Sequence, residues 1–321
     1  MKLVSIAMTV WLALSTTVQA QEVVRLGNLK LAHFGAVSYI KEIAPRCGIR
    51  VEEKMFAKGL DVMQAIIAGE LDVGATASEA AIQGRAGGAP IVVVAGFARG
   101  GARLVARRGV NIAGIADLKG KKVGVTRGGI QEVLLMAELA RHGLKADASG
   151  SKDVQLVYLA YADLNQALMG RHIDAMMQSE PQSSQAINMG IGVEVMKPYG
   201  TSIGEPVRTM VMTEKFYRER RPLAEKFMRC FVQATRTFIE SPAVAEQYVR
   251  QQMFKGQITV ADFRDAIGNS PYSYDITPNH IQVTTDVMAQ TGVGRMARPP
   301  LARDWVRTDL LAAAKRSLQI Q

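Results

Sequence analysis

Two stretches of the chain repeat one another at an offset of 102 residues: QAIIAGELDVG, from Gln64 to Gly74, and QALMGRHIDAM, from Gln166 to Met176. They register position by position, Gln64 with Gln166, Ala65 with Ala167, Leu71 with Ile173 and Asp72 with Asp174. In the first copy an amphipathic helix ends at Gly69, which takes a left-handed C′ conformation at little cost, and a buried strand begins at once with Leu71. The second copy places Gly170 one position earlier and Arg171 where Gly69 would be. Both read as helix-to-strand corners of a βαβ unit, so the chain has to build that unit at least twice.

The rest of the text agrees with α/β layers and largely parallel sheets. Apolar runs at 23–26, 49–56, 71–75, 91–97, 122–125, 155–159, 173–178 and 207–213 predict strands, and i, i+3, i+4 spacing such as Ala36-Tyr39-Ile40-Ile43 predicts helices between them. The glycine-rich passage Gly96 to Gly101 reads as a flexible crossing, followed by a fresh start at Ala116 to Val125. A second crossing is expected over Lys197 to Pro206. Two crossings enclose one lobe: residues 21–100 and 205–321 are expected to form lobe one, and 101–204 lobe two. Beyond Phe216 the chain predicts helices at 222–240, 242–253, 260–268 and 278–290, a covering layer for lobe one.

Residues 1–20 predict a secretory signal peptide, with Lys2 as the positive start, an apolar stretch from Ile6 to Leu14 and the cleavage signal Val18-Gln19-Ala20. That apolar stretch is too short to span a bilayer, so a periplasmic location is expected. Cleavage would take the formal charge from +10 to +9. The basic residues are scattered apart from RERR at 218–221, which favours small anionic ligands and gives no nucleic-acid groove. Cys47 and Cys230 are the two cysteines; an oxidising compartment permits a bridge, but two separate buried thiols are the favoured reading.

The corners GELD and RHID, the segment ADLKGKKVGVTRGGIQEVLLMAELARHGL from Ala116 to Leu144, and Ser179-Glu180-Pro181 together resemble the substrate-binding proteins of ABC importers, of the sulfonate, taurine and nitrate type. The likeness covers nearly all of the chain after residue 20. It implies a type II periplasmic binding protein fold, with two α/β lobes joined by two hinge crossings and a ligand cleft between them. It also implies a monomeric receptor that hands a small anion, a sulfonate or an aromatic or aliphatic carboxylate, to an inner-membrane ABC permease. No cofactor and no metal are expected.

In such a fold ligands sit at the carboxyl ends of strands, beside helix N-termini. That places four loops in the cleft: 28–35, 76–79, 126–130 and 178–182. In the first, His33 and Phe34 offer a hydrogen-bonding ring and an aromatic wall. In the second, Thr76 or Ser78 is expected to cap a helix and to offer a hydroxyl. In the third, Arg127, Gly128 and Gly129 form a turn whose amides suit a carboxylate or sulfonate. Glu180, in the fourth, would orient an arginine or bind an amine. Arg208, in an otherwise apolar strand, needs a partner: the ligand's anionic group, Glu180 or Glu205.

Gly200-Thr201-Ser202-Ile203-Gly204 fits G-x-S-x-G, but Pro198 and Pro206 flank it where a strand and a helix are required. An exported hydrolase using Ser202 is thus the weaker alternative, beside a receptor feeding a sensor kinase. His33, His142, His172 and His280 show no metal-ligand spacing. The related fold also serves a pyrimidine synthase of thiamine pathways, whose cysteine-rich motif is missing here. A binding protein, not an enzyme, is expected.

Overall fold

The computed structural model describes residues 21–320, so the expected signal peptide lies outside the described residues. In chain order the first sheet begins with β1 (Glu22–Leu29), α1 (Gly35–Ile43), β2 (Ile49–Phe56), α2 (Gly59–Ile67), β3 (Val73–Ala77), α3 (Ser78–Ala86) and β4 (Ile91–Arg99). The chain then crosses and builds β5 (Ala102–Arg107), β6 (Lys122–Val125), α4 (Ile130–Arg141), β7 (Ala146–Asp147), β8 (Val154–Tyr158), α5 (Tyr161–Met169), β9 (Ala175–Ser179), α6 (Gln182–Asn188) and β10 (Gly192–Met196). It returns through β11 (Val207–Thr213) to the helices α7 (Glu214–Glu219), α8 (Arg221–Glu240), α9 (Pro242–Gln247), α10 (Val260–Asn269), α11 (Pro278–Thr291) and α12 (Asp309–Ser317). None of the described helices is long and apolar enough to cross a membrane.

Strand order is β2-β1-β3-β11-β4 in one sheet and β10-β5-β9-β6-β8-β7 in the other. Leaving aside the two-residue edge strand β7, the second order reads backwards as the first, with β8, β6, β9, β5 and β10 in the places of β2, β1, β3, β11 and β4. The two lobes are one plan built twice. The sheets are mixed rather than largely parallel: β11 runs antiparallel to β3 and β4, and β5 antiparallel to β9 and β10. These are the strands that the chain lays down immediately after each crossing. A strand entering from the crossing side runs against those whose carboxyl ends point towards it.

The repeated corner has a structural reason. Asp72 Oδ2 accepts the Arg25 amide (2.9 Å), while the Asp72 amide bonds the Arg25 carbonyl (2.9 Å). Asp174 does the same with Lys122, at 3.0 and 2.8 Å. Its carbonyl accepts the Arg107 amide on β5, as the Asp72 carbonyl accepts that of Thr213 on β11. Each aspartate thus joins three strands at one point. The helix stop differs from expectation: Gly170 keeps a right-handed φ of −74° and Arg171 takes the left-handed position at 61°, matching Gly69 at 75°. Register is set by the hydrogen bonds, Glu70 to Ala65 and His172 to Ala167, and not by where the glycine falls.

The first crossing is shorter than expected. β4 continues through Gly96 to Arg99, leaving Gly100 and Gly101, at φ 68° and 78°, as the link. Gly96 is not there for flexibility: a Cβ would collide with the Asp275 carbonyl, and the Gly96 amide bonds the Tyr274 carbonyl at 3.3 Å. The C-terminal helices do more than cover one lobe. α8 lays Leu223, Phe227 and Phe231 into the first core, but α10 packs on α6 and α11 on α4. α4 is buried on two sides, Ile130, Val133, Leu134 and Ala137 in the first core, Leu135 and Leu139 in the second. Cys47, in the turn after α1, is bonded to Cys230 in the middle of α8, with Cα atoms 5.9 Å apart. This corrects the expectation of separate thiols, because α1 and α8 pack together and bring distant residues into bonding range.

Candidate functional site

Between the sheets lies a closed cavity of 20 Å³, room for about one water. Its walls include Leu31 and Phe34 of the first loop, Glu79 at the start of α3, Gln131 at the start of α4, Tyr161 at the start of α5, and Arg208 on β11. Leu29, Leu31 and Tyr161 also line an open funnel of 360 Å³ that leads outward past Lys30, Gln182 and Phe254.

Arg208 is the cavity's buried cation, 1 % exposed. Its Nη2 donates to the Gly100 carbonyl (2.6 Å) and its Nε to His33 Nε2 (3.0 Å), while Nη1 has no partner. The expected carboxylate partners lie elsewhere, Glu205 beside Arg99 and Glu180 beside Arg103. Burial lowers the Arg208 pKa from its usual value, an effect that the Glu79 charge opposes. His33 is pushed well below the ordinary histidine range by burial and then by the Arg208 charge. It is the neutral ring, accepting at Nε2 with its proton on Nδ1. Its neighbour Phe34 packs edge-on against Phe97, with centroids 4.7 Å apart.

Thr76 and Ser78 are buried beside the cavity with both hydroxyls unpartnered. Neither caps α3, whose N-cap is Ala77 with no side-chain bond. The acidic side chain at this helix start is Glu79, 4 % exposed, whose Oε2 also lacks a partner. Burial pushes its pKa up to about 7, against the pull of Arg208 and of the amides of Glu79, Ile130 and Ala80. The sequence reading puts residues 76–79 in the cleft but names only the hydroxyls of Thr76 and Ser78, not Glu79.

The glycine turn has its amides already engaged. Gly128 donates to Glu132 Oε2 (2.5 Å) and Gly129 to the Thr126 carbonyl (3.3 Å), while Gln83 reaches across from α3 to the Gly128 carbonyl (3.0 Å). Gly129 is required because a Cβ there would strike the Tyr161 hydroxyl, which donates to Gln131 Oε1 (2.6 Å). Arg127 lies outside the closed cavity. It is exposed, its guanidinium 4.1 Å above the Tyr158 ring, in a rim groove of 550 Å³ shared with Lys58 and Arg295.

Glu180 is fully buried behind the cavity and both of its oxygens are occupied. Oε1 meets Arg103 Nε and Asn269 Nδ2, each at 2.8 Å, and Oε2 accepts from Ser184 Oγ at 2.7 Å. Of the two roles considered, it orients an arginine, namely Arg103, which sequence reasoning passed over. Arg103 also binds Asp265 on α10 through two bonds of 2.9 Å and Glu194 on β10 at 2.9 Å, so this cluster joins both lobes. Ser202 sits exposed in the return crossing, with β11 after it and no helix, so the nucleophile-elbow geometry is not formed. Among the described residues no group of three or more His, Cys, Asp or Glu is placed to hold a metal ion.

The site is a buried, polar, interlobe seat on a duplicated α/β plan, and residues 46–245 match the model of the NMT1/THI5-like family. The chain belongs to the NMT1/THI5-like family. A protein of Escherichia coli strain K12, named as an aliphatic sulfonates-binding protein, is 32% identical over 202 residues, 62% of this chain. The match spans 58% of that relative's length. The structure of the alkanesulfonate-binding protein of Xanthomonas axonopodis pv. citri, bound to MOPS, superposes with a TM-score of 0.75 at 18% identity, over 90% of this chain and 100% of that one. The periplasmic nitrate-binding protein of Synechocystis PCC 6803 superposes with a TM-score of 0.77 at 14% identity, over 94% of this chain and 90% of that one. These likenesses establish for this NMT1/THI5-like chain the two-lobed type II periplasmic binding protein fold.

Proposed function

We propose that the protein is the solute-binding component of an ABC import system, exported to the periplasm, which captures a small organic anion between its lobes and presents the closed form to a membrane permease. The preferred ligands are sulfonates or carboxylates, aromatic ones included. One observation carries the reading: Arg208 lines the interlobe cavity, is buried, and has an Nη1 without a partner. A buried cationic donor left unsatisfied is costly, and an anionic oxygen supplied by a ligand relieves that cost. His33 holds the guanidinium in place without competing for charge, Phe34 supplies an apolar wall, and Arg127 with Lys58 draws anions to the rim.

The mechanism is a population shift. A ligand touching both lobes favours the closed state by its difference in affinity for the two states. No bond is made or broken. A thermal-shift screen of sulfonates, aliphatic and aromatic carboxylates, nitrate and amino acids should yield at least one stabiliser. Arg208→Ala should weaken its binding by about 10- to 150-fold, the range for a charge-assisted hydrogen bond of ~1.5–3 kcal/mol. Stabilisation by a neutral metabolite alone, or undiminished binding in Arg208→Ala, would refute the anion reading.

A further inference from the structure

We propose that Glu79 is a resident anion in the ligand cavity, and that an external anion enters together with one proton, which neutralises the Glu79 carboxylate. The inference rests on the anion-capture reading above and assigns a specificity role to a residue of the same cavity. Glu79 and Arg208 line the same cavity, which has room for about one water; both are buried, and each has an unpartnered atom, Oε2 and Nη1. The carboxyl sits where two helices begin: the amides of Glu79 and Ala80 open α3 in one lobe, and that of Ile130 opens α4 in the other. Neither helix has a side-chain cap. The chain's own carboxylate thus lies in the cavity where an external anion would otherwise sit, beside helix starts of both lobes.

Charge balance then decides what can join it. Arg208 on β11 is the one cation among the described residues lining the cavity. His33, in the turn before α1, is neutral and bound to Arg208. Tyr161, from α5, is held protonated by burial and by Glu79. Gln131 of α4 and Ser179 of β9 carry no charge. One cation already faces one carboxylate, so a second anion arrives unmatched in a low-dielectric space. A proton from solvent added to Glu79 Oε2 restores the balance, and the resulting acid donates a hydrogen bond to the ligand's oxygen. No bond of the ligand changes. Burial places the Glu79 proton within reach near neutral pH, with a pKa of about 7 before any ligand arrives, and a second negative charge raises it further.

The test uses ethanesulfonate and benzoate as probes, titrated calorimetrically from pH 6 to 9 in buffers of different ionisation enthalpy, against the parent protein and Glu79→Gln. The parent should take up close to one proton per probe and lose affinity by about tenfold per pH unit above roughly pH 7. Glu79→Gln should bind with little pH dependence, at least tenfold more tightly than the parent at pH 8.5. A parent affinity that is flat with pH, or a slope retained in Glu79→Gln, overturns the coupling and leaves anion capture standing. Failure of both probes on both proteins at every pH overturns the coupling and the anion reading together. A ligand-free measurement stands beside these. An acid whose folded pKa is raised loses stability as pH rises through 4.5 towards 7, so the melting temperature of Glu79→Gln should gain on the parent's between pH 5 and 8.5. A constant difference overturns the resident charge.

Discussion

Asp72 and Glu79, seven positions apart, are buried acids with opposite tasks, and their surroundings explain why. Asp72 accepts the Arg25 amide and two guanidinium nitrogens at 2.8 and 3.1 Å. Burial alone would raise its pKa, but these bonds outweigh burial and hold it below the ordinary value. A depressed carboxylate stabilises the fold above its unfolded pKa, near 3.8, and that contribution is lost as pH falls through the folded value. Asp72→Asn should therefore cost about 1–2 kcal/mol at pH 7 in urea denaturation, towards the low end because Arg25 is largely solvated. The gap should close below about pH 4. A gap of equal size at both pH values would show that the ion pair is not its source. No guanidinium hydrogen-bonds Glu79 Oε2, so burial prevails there over the pull of the Arg208 charge. The sequence marked Asp72 through its repeat but gave Glu79 no signal beyond an acid in a first turn, since desolvation is a property of what surrounds a residue.

The duplicated element was legible because a helix-to-strand corner leaves a local imprint: apolar spacing, a stop and a strand start within eleven residues. Its glycine was the misleading part. The left-handed position belongs to Gly69 in one copy and Arg171 in the other, and a non-glycine residue there costs ~1–2 kcal/mol. Arg171→Gly should raise stability by about 1 kcal/mol, read as a melting temperature higher by about 2 °C. Unchanged or lower stability would mean that the arginine side chain compensates. The strands β5 and β10 escaped sequence reading for a different reason. ARLVAR and GVEVM are short, and charged positions interrupt them. Arg103 is tolerated in β5 only because three acids converge on it, Glu180 just after β9, Glu194 on β10 and Asp265 on α10. Gly96 was misread likewise, as a loop residue, when the demand for glycine comes from the chain at 274–275 crossing over a strand.

For the whole molecule, packing between the lobes joins the two similar sheets into one body. α4 shares its faces between both cores, and α10 and α11 reach from the C-terminal part of the chain to α6 and α4. Within the first lobe, the Cys47–Cys230 bridge ties α8 to the turn after α1 across 183 residues. Restricting so long a loop in the unfolded chain is worth roughly 2–4 kcal/mol. Cys47→Ser paired with Cys230→Ser should accordingly lower the melting temperature by several degrees, and no change would show that the bridge contributes nothing measurable. Local signals determined the α/β class, the doubled corner, most of the strands and the turns that border the cleft, because spacing, capping and turn chemistry act over a few residues. Tertiary structure alone decided the cysteine pairing, the histidine partner of Arg208, the engagement of Glu180 by Arg103, and the burial of Glu79 in the same cavity as Arg208. Each of these depends on which distant groups share a buried space, where the absence of water turns proximity into energy.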